Sequence, residues 1–524
     1  MKSIVENDIL SAEITVLKNR ICELEFLVRY YEEQFKLAKH RQFGASSEKS
    51  EYDQLSLFNE VEATADANVP EPELAEIKRH FRKRKRLTND RLPEDLPVEV
   101  VEHDLPADEQ ICPECSEALH VMGNEKRREL VIIPAVVKIR EHVKKVYACR
   151  NCEKNACNVP IVKAPADAPV IKGSFASPEA ISHIMTQKFV MGAPLYRQEQ
   201  EWNRQGIMLS RQTMSNWLIK ATEDWLEPIY DALREMLLEQ DILHADETTL
   251  QVLQEPGKTA QSKSYMWLYR TSRYNGRNAE VQNPIVLYEY QPGRNAKHPE
   301  KFLKDFRGYI HADGYEGYHN LGDDITIVGC WAHARRKWDE ALKIIPEKSR
   351  SDSNAMRGKR YCDRLFDLER DFIEMKPEDR FAKRQELSRP VMEEFFGWLE
   401  KLDAVPKTPV GTAANYALKQ RIYLECYLLD GRLEISNNRA ERSVKPFVVS
   451  RKNFLFANTP RGAKASAVMF SIIETAKECG LNPYAYLVYI FKNAPNWDIG
   501  NNINCLDLLM PHSAPDSCKS AKSR

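Results

Sequence analysis

From Leu10 the apolar residues recur at alternating steps of four and three, through Ile14, Leu17, Ile21, Leu24, Val28, Tyr31, Phe35 and Ala38. A period of 3.5 held over about four heptads predicts a coiled-coil helix in residues 1–45, self-associating through its seam; an amphipathic helix packed on its own protein is the alternative. The pattern stops at Gly44-Ala45-Ser46-Ser47, and residues 46–100 read as a polar, acidic linker that ends in a basic run. Helical spacing returns over 170–238. Ser177-Pro178 opens a helix carrying Ile181, Ile184, Met185 and Phe189, a second helix runs from Leu195 to Gln205, and Ser210 opens a third after the turn at Gly206. Helix, glycine turn and Ser-capped helix outline a helix-turn-helix, in which Arg211, Gln212 and Ser215 would face DNA; an ordinary helical bundle fits the same pattern equally well.

Beyond Asp241 the period changes to that of strands. Apolar, β-prone runs cover Ile242 to Leu253, Tyr265 to Arg270, Ile285 to Tyr290, Gly308 to Ala312 and Ile325 to Gly329, with a helical stretch from Pro299 to Phe306. Three meandering strands, a helix, then a strand, a helix and further helices describe an RNase H-like α/β domain in residues 239–344 and 430–494. The Glu-, Lys-, Arg- and Leu-rich residues 345–429 read as a helical insertion, and 495–524 as a tail without an assigned role. The expected fold is thus multidomain α/β. Its first and fourth strands end in the same words, His244-Ala245-Asp246 and His311-Ala312-Asp313. As neighbours those strands would bring two carboxylates together, and like charges held that close call for a proton or a divalent cation. Taken singly, Asp246 also reads as a polar strand end and Asp313 as a turn residue before Gly314. A third carboxylate is expected from a helix on the sheet. Glu441, followed by six Lys/Arg and no acid between Arg442 and Lys464, suits a metal site that must also hold a phosphate backbone, although its spacing from Asn438 also fits a helix-capping pair. Within that segment Arg451 and Lys452 are the candidate DNA-backbone contacts. His333, close after Cys330, is either a contact near the site or a structural helix residue.

Composition sharpens this reading in three places. At 524 residues, 43% hydrophobic and 29% charged, the chain is long enough for several cores, yet its net charge of −1 means that any pull on nucleic acid comes from local patches. One such patch, Lys78 to Arg86, holds seven basic residues in nine and reads as a solvated tail or a nucleic-acid contact. Twelve cysteines are too few for a disulfide scaffold in so long a chain, but Cys112-Pro113-Glu114-Cys115 and Cys149-Arg150-Asn151-Cys152 form two knuckles. Two Cys-x-x-Cys pairs can give four thiolates to one tetrahedral Zn²⁺, which predicts a zinc-ribbon-like module in 101–165 with a structural ion and no open coordination position. No apolar run reaches membrane-spanning length and no signal segment opens the chain, so a cytoplasmic protein without a membrane partner is expected.

Read together, several motifs resemble the insertion sequence 66 family of DDE transposases. They are His244-Ala245-Asp246-Glu247-Thr248, Ala312 to Tyr318, Cys330-Trp331-Ala332-His333-Ala334-Arg335-Arg336, Asn437 to Arg442, Arg451 to Phe456 and Leu481 to Leu487. The likeness runs from the N-terminal helix through the cysteine knuckles to about Lys492 and departs in the tail after Asn493. It implies that Asp246, Asp313 and Glu441 form an acidic triad holding Mg²⁺ (or Mn²⁺), two ions in the family's mechanism. It also implies double-stranded DNA partners, namely the element's terminal inverted repeats and a target, with accessory proteins encoded by the same element as a further expected class. The implied setting is the bacterial cytoplasm, in association with the nucleoid. The competing readings are another RNase H-like nuclease, such as a junction resolvase, and a non-catalytic DNA-binding regulator derived from a transposase.

Overall fold

The computed structural model describes residues 137–143, 145–148, 161–163, 165–274, 283–319 and 321–520. The heptad seam, the basic run and the cysteines Cys112, Cys115, Cys149 and Cys152 lie outside them. The chain divides into two compact units, one of residues 48–165 and one of residues 1–47 and 166–524. In the first, β1 (Val146–Ala148) pairs antiparallel with β2 (Ile161–Lys163).

The larger unit opens with α1 (Pro178–Phe189), α2 (Leu195–Arg204), α3 (Arg211–Ala221) and α4 (Glu227–Leu238). Ser177 and Ser210 cap the first and third by accepting from the Ala180 and Thr213 N–H groups, which gives two helix N-termini the acceptors they lack. The turn before α3 needs a left-handed residue, and Gly206 supplies it at φ 76°. These helices have no core of their own. Phe189 packs edge-on against Phe470, and Ile181, Met214, Trp217 and Leu218 belong to the same buried cluster as the sheet.

That sheet has five strands, β3 (Ile242–Gln251), β4 (Lys263–Thr271), β5 (Val286–Gln291), β6 (Gly308–Ala312) and β7 (Ile325–Gly329), in the order β5-β4-β3-β6-β7. The first three form an antiparallel meander, and β6 and β7 join parallel to β3. Helix α5 (Lys297–Phe302) makes the crossover to β6. The sequence expectation set that helix at Pro299 to Phe306, but it starts earlier and the chain turns after Phe302. At the start of β6, Gly308 has φ 133°, and a Cβ there would meet the Asp241 carbonyl oxygen at 2.2 Å. Gly308→Ala should therefore cost about 1–3 kcal/mol and lower the thermal midpoint; an unchanged midpoint would contradict this.

After β7 come α6 (Trp331–Lys343), α7 (Asn354–Asp371), α8 (Pro377–Lys383), α9 (Arg389–Leu399) and α10 (Pro409–Lys419). Trp331, Trp338, Tyr361, Phe395 and Phe396 form their shared core, which also takes in Val328 of β7. Two long helices then return to the sheet, α11 (Asn438–Phe454) and α12 (Pro460–Glu478). Ser471 and Thr475 of α12 accept from the Tyr288 and Val286 N–H groups, so the outer edge of β5 is occupied by side chains and closed to a further strand. Helix α13 (Pro483–Asn493) follows, and the tail adds α14 (Ile503–Leu509). It is docked: Tyr486 donates to the Leu509 carbonyl at 2.7 Å, and Cys518 is buried. Among the described residues no helix is long and apolar enough to cross a membrane.

Candidate active site

Strands β3 and β6 run side by side with His244 opposite His311, and the two imidazoles stack at 4.3 Å. Two residues further along each chain stand Asp246 and Asp313. Asp246 Oδ1 accepts from the Glu247 N–H at 2.8 Å, and Asp313 Oδ1 accepts from the Tyr315 N–H at 2.9 Å, opening the turn that follows β6. Burial, then the charges of Glu247 and Asp313, and more weakly that of Glu441, hold the Asp246 carboxyl well above the usual carboxylate range. Burial and Asp313 likewise raise Glu247. Strand alternation turns Glu247 to the other face, where it accepts from the Tyr318 hydroxyl at 2.7 Å and from Arg294 Nε at 2.8 Å.

Asn437 anchors the start of α11, the helix that carries Glu441. Its Nδ2 donates to the Ala245 carbonyl at 2.7 Å, its Oδ1 lies 3.0 Å from His244 Nδ1, and its N–H points at Cys330 Sγ at 3.1 Å. One buried residue thus ties the start of α11 to β3 and to the start of α6. Beside it the Glu434 N–H donates to His311 Nε2 at 3.2 Å, and the Glu434 carboxylate accepts from Arg439 Nε at 2.8 Å. Burial lowers both imidazoles below their ordinary pKa, which keeps His311 neutral and able to accept that bond. Because Asn437 is the helix cap, Asn438 stands in the first turn, and a capping pair of Asn438 with Glu441 is out of register. Glu441 Oε2 instead accepts from Arg336 Nη2 at 3.2 Å. Its Oε1 lies 3.7 Å from His333 Nδ1. Among the described residues neither Oε1 nor that Nδ1 has a hydrogen-bond partner.

The candidate DNA contacts fall into two groups. Arg211 and Gln212 are exposed and Ser215 half-buried on the first turns of α3, with the Arg211 guanidinium over the Tyr196 ring at 5.6 Å. Lys452 is exposed, whereas Arg451 turns inward to the Thr249 carbonyl and, at 2.9 Å, to Thr249 Oγ1. Its Nη1 is engaged on β3, against which α11 packs. Arg461 and Lys464 are also engaged, with Glu223 and Glu227 at 2.6 and 3.1 Å. Sequence reasoning missed the His244, His311, Asn437 and Glu434 network. Its signal was in view, since the repeated words begin with histidine and an Asn pair precedes Glu441.

Residues 173–465 match the Transposase IS66 family. Residues 109–153 match the zinc-finger binding domain of transposase IS66, a stretch that contains all four knuckle cysteines and supports a structural zinc. Residues 30–101 match a family described as Transposase C of IS166 homeodomain, and 471–512 match the IS66 C-terminal element. The last match carries the likeness past Lys492 into the segment that had looked unrelated. Two proteins of Sinorhizobium fredii (strain NBRC 101917 / NGR234) are similar along most of their length. The protein y4jD is 30% identical over 431 residues, 80% of this chain and 81% of the relative, and y4qI is 31% identical over 428 residues, 79% and 74%. Four matches in chain order, one of them spanning more than half of the sequence, leave a single assignment: the chain belongs to the IS66 family of transposases.

Proposed function

We propose that this protein cleaves the ends of an insertion element and transfers the freed strand to target DNA through a triad of Asp246, Asp313 and Glu441. The observation that carries the reading is electrostatic. Burial and the charge of Glu247, joined by those of Asp313 and, more weakly, Glu441, drive the Asp246 carboxyl toward its protonated form when no cation is present. An unpartnered Glu441 oxygen is a second sign that the residues fit a divalent ion. An RNase H-like fold suits this strand order, an antiparallel meander extended by two parallel strands.

Asp246, Asp313 and Glu441 would hold Mg²⁺ (or Mn²⁺), hard ions that take oxygen ligands. Bound there, the ion supplies Lewis-acid stabilisation to the phosphodiester undergoing attack. The chain's own part is positioning. Asn437 and the stacked imidazoles fix where Glu441 stands relative to the aspartates, and Arg336 orients its other oxygen. The first turns of α3, with Arg211, Gln212 and Ser215, are read as the surface for element ends in a DNA-binding region 170–238. Lys452 is read as a backbone contact nearer the triad. Cys112, Cys115, Cys149 and Cys152 would hold the zinc, and the heptad helix would join protomers.

Linkage makes one part of this testable without DNA. The folded-state pKa of Asp246 is raised, so between the unfolded value of about 3.9 and the folded value the folded state binds more protons than the unfolded. Stability of the metal-free site should therefore fall as pH rises through that window. Added Mn²⁺ should raise the thermal midpoint of the zinc-loaded protein more at pH 8 than at pH 5, whereas equal shifts would contradict the reading. Function is tested by cleavage in Mg²⁺ of linear DNA with and without imperfect inverted-repeat ends, beside a four-way junction. Cutting at the repeat ends is expected. Cutting of the junction alone would identify a resolvase, and binding without cutting a regulator.

A further inference from the structure

Cys330, His333 and Glu441 each offer one ligand atom, and those atoms all lie within 4.8 Å of one another. We propose that they form a second metal site, softer than the carboxylate triad, that takes Zn²⁺ and competes for Glu441. The effect on activity rests on the triad reading above; the site itself does not.

Three observations carry it. The first is donor chemistry. Sulfur, imidazole nitrogen and a carboxylate oxygen are a zinc set with one position open, whereas Mg²⁺ prefers oxygen alone. The second is that the two harder donors are idle. His333 Nδ1 and Glu441 Oε1 face each other at 3.7 Å, too far for a hydrogen bond, and both are buried without a partner. Such a pair is costly unless something binds between them. The third is the setting of the sulfur. Cys330 precedes α6, and the Asn437 N–H at the start of α11 is directed at Sγ at 3.1 Å. Donors at a helix N-terminus stabilise a thiolate. The thiol proton leaves for solvent as the Zn–S bond forms.

The consequence concerns regulation. Glu441 cannot serve both ions, so Zn²⁺ bound through Cys330 and His333 withdraws it from Asp246 and Asp313 and should oppose Mg²⁺-dependent cleavage. The acidic triad would then sense free zinc, separately from any zinc held by the cysteine knuckles.

The test uses the full chain, loaded with one equivalent of Zn²⁺ to fill the knuckle module and then titrated with Co²⁺. Wild type should take a further equivalent with near-ultraviolet sulfur-to-cobalt charge-transfer absorption, and Cys330→Ser should lose that absorption. His333→Gln should weaken uptake by roughly tenfold or more, the scale on which even changes around a ligand act. Absence of the absorption in wild type, or its persistence in Cys330→Ser, would overturn the proposal. Should Cys330→Ser fail to fold, unaltered uptake by His333→Gln, which lies at the half-exposed start of α6, would overturn it equally. Cleavage in Mg²⁺ without free zinc is scored separately. A missing cobalt signal with intact cleavage removes the sulfur site and leaves the triad standing, whereas cobalt uptake without any cleavage does the reverse.

Discussion

Asp246→Asn, Asp313→Asn and Glu441→Gln should each lower Mg²⁺-dependent cleavage of an element end by about 10³-fold or more. That corresponds to about 4 kcal/mol of lost transition-state stabilisation, within the several that a positioned cation supplies. Single-turnover cleavage of an end-labelled duplex measures it. Pairwise combinations should be hardly worse than single changes, because groups that act as one unit lose their joint effect once. Asp246→Asn should also keep or raise the thermal midpoint of the metal-free protein, since burial, Glu247 and Asp313 penalise the charged form of the carboxylate it removes. Loss of activity with an intact or improved midpoint separates a role in the reaction from a role in folding. A variant that unfolds would point to structure instead.

The largest expected effect on stability lies in the helical segment between α6 and α11. Arg384, just after α8, is fully buried; it holds both Glu369 oxygens at 2.7 Å and donates to the carbonyls of Tyr427, Asp430 and Leu433 at 3.0, 2.8 and 2.8 Å. Arg384→Ala leaves a nearly buried carboxylate and three acceptors without a donor, a loss of about 3–5 kcal/mol, to be read from chemical denaturation. Arg384→Lys should recover only part of it, because an ammonium cannot reproduce the guanidinium fork. The bound carbonyls belong to the chain that leads through Glu434 and Asn437 into α11. Cleavage by both variants should therefore fail at lower temperature than in wild type. A loss below about 1 kcal/mol would show that the clamp contributes little.

Short apolar runs leading into a repeated word were enough to anticipate that β3 and β6 are neighbours and that each has an aspartate in it or at its end, because a buried parallel strand has few other ways to look. The helix starts at Ser177 and Ser210 were legible for a similar reason, since a cap acts within four residues of chain. Contacts set by packing between distant elements were not legible. Nothing local distinguishes Arg451, folded onto Thr249, from Lys452, its exposed neighbour. Asn438 with Glu441 has capping spacing, and only the bonds that fix Asn437 across β3 and Cys330 move the cap by one residue. The tail carries no legible motif because its attachments, such as Tyr486 and Tyr489 to the Leu509 and Leu508 carbonyls, join side chains to backbone.

Cleavage by this mechanism requires Asp246, Asp313 and Glu441 to hold the divalent ion together. Anomalous diffraction at the manganese edge from crystals soaked in Mn²⁺ tests it directly. A peak in contact with the Asp246 and Asp313 carboxylates, with Glu441 beside it, is the predicted result. Manganese bound elsewhere, with those two aspartates free of metal, would contradict it.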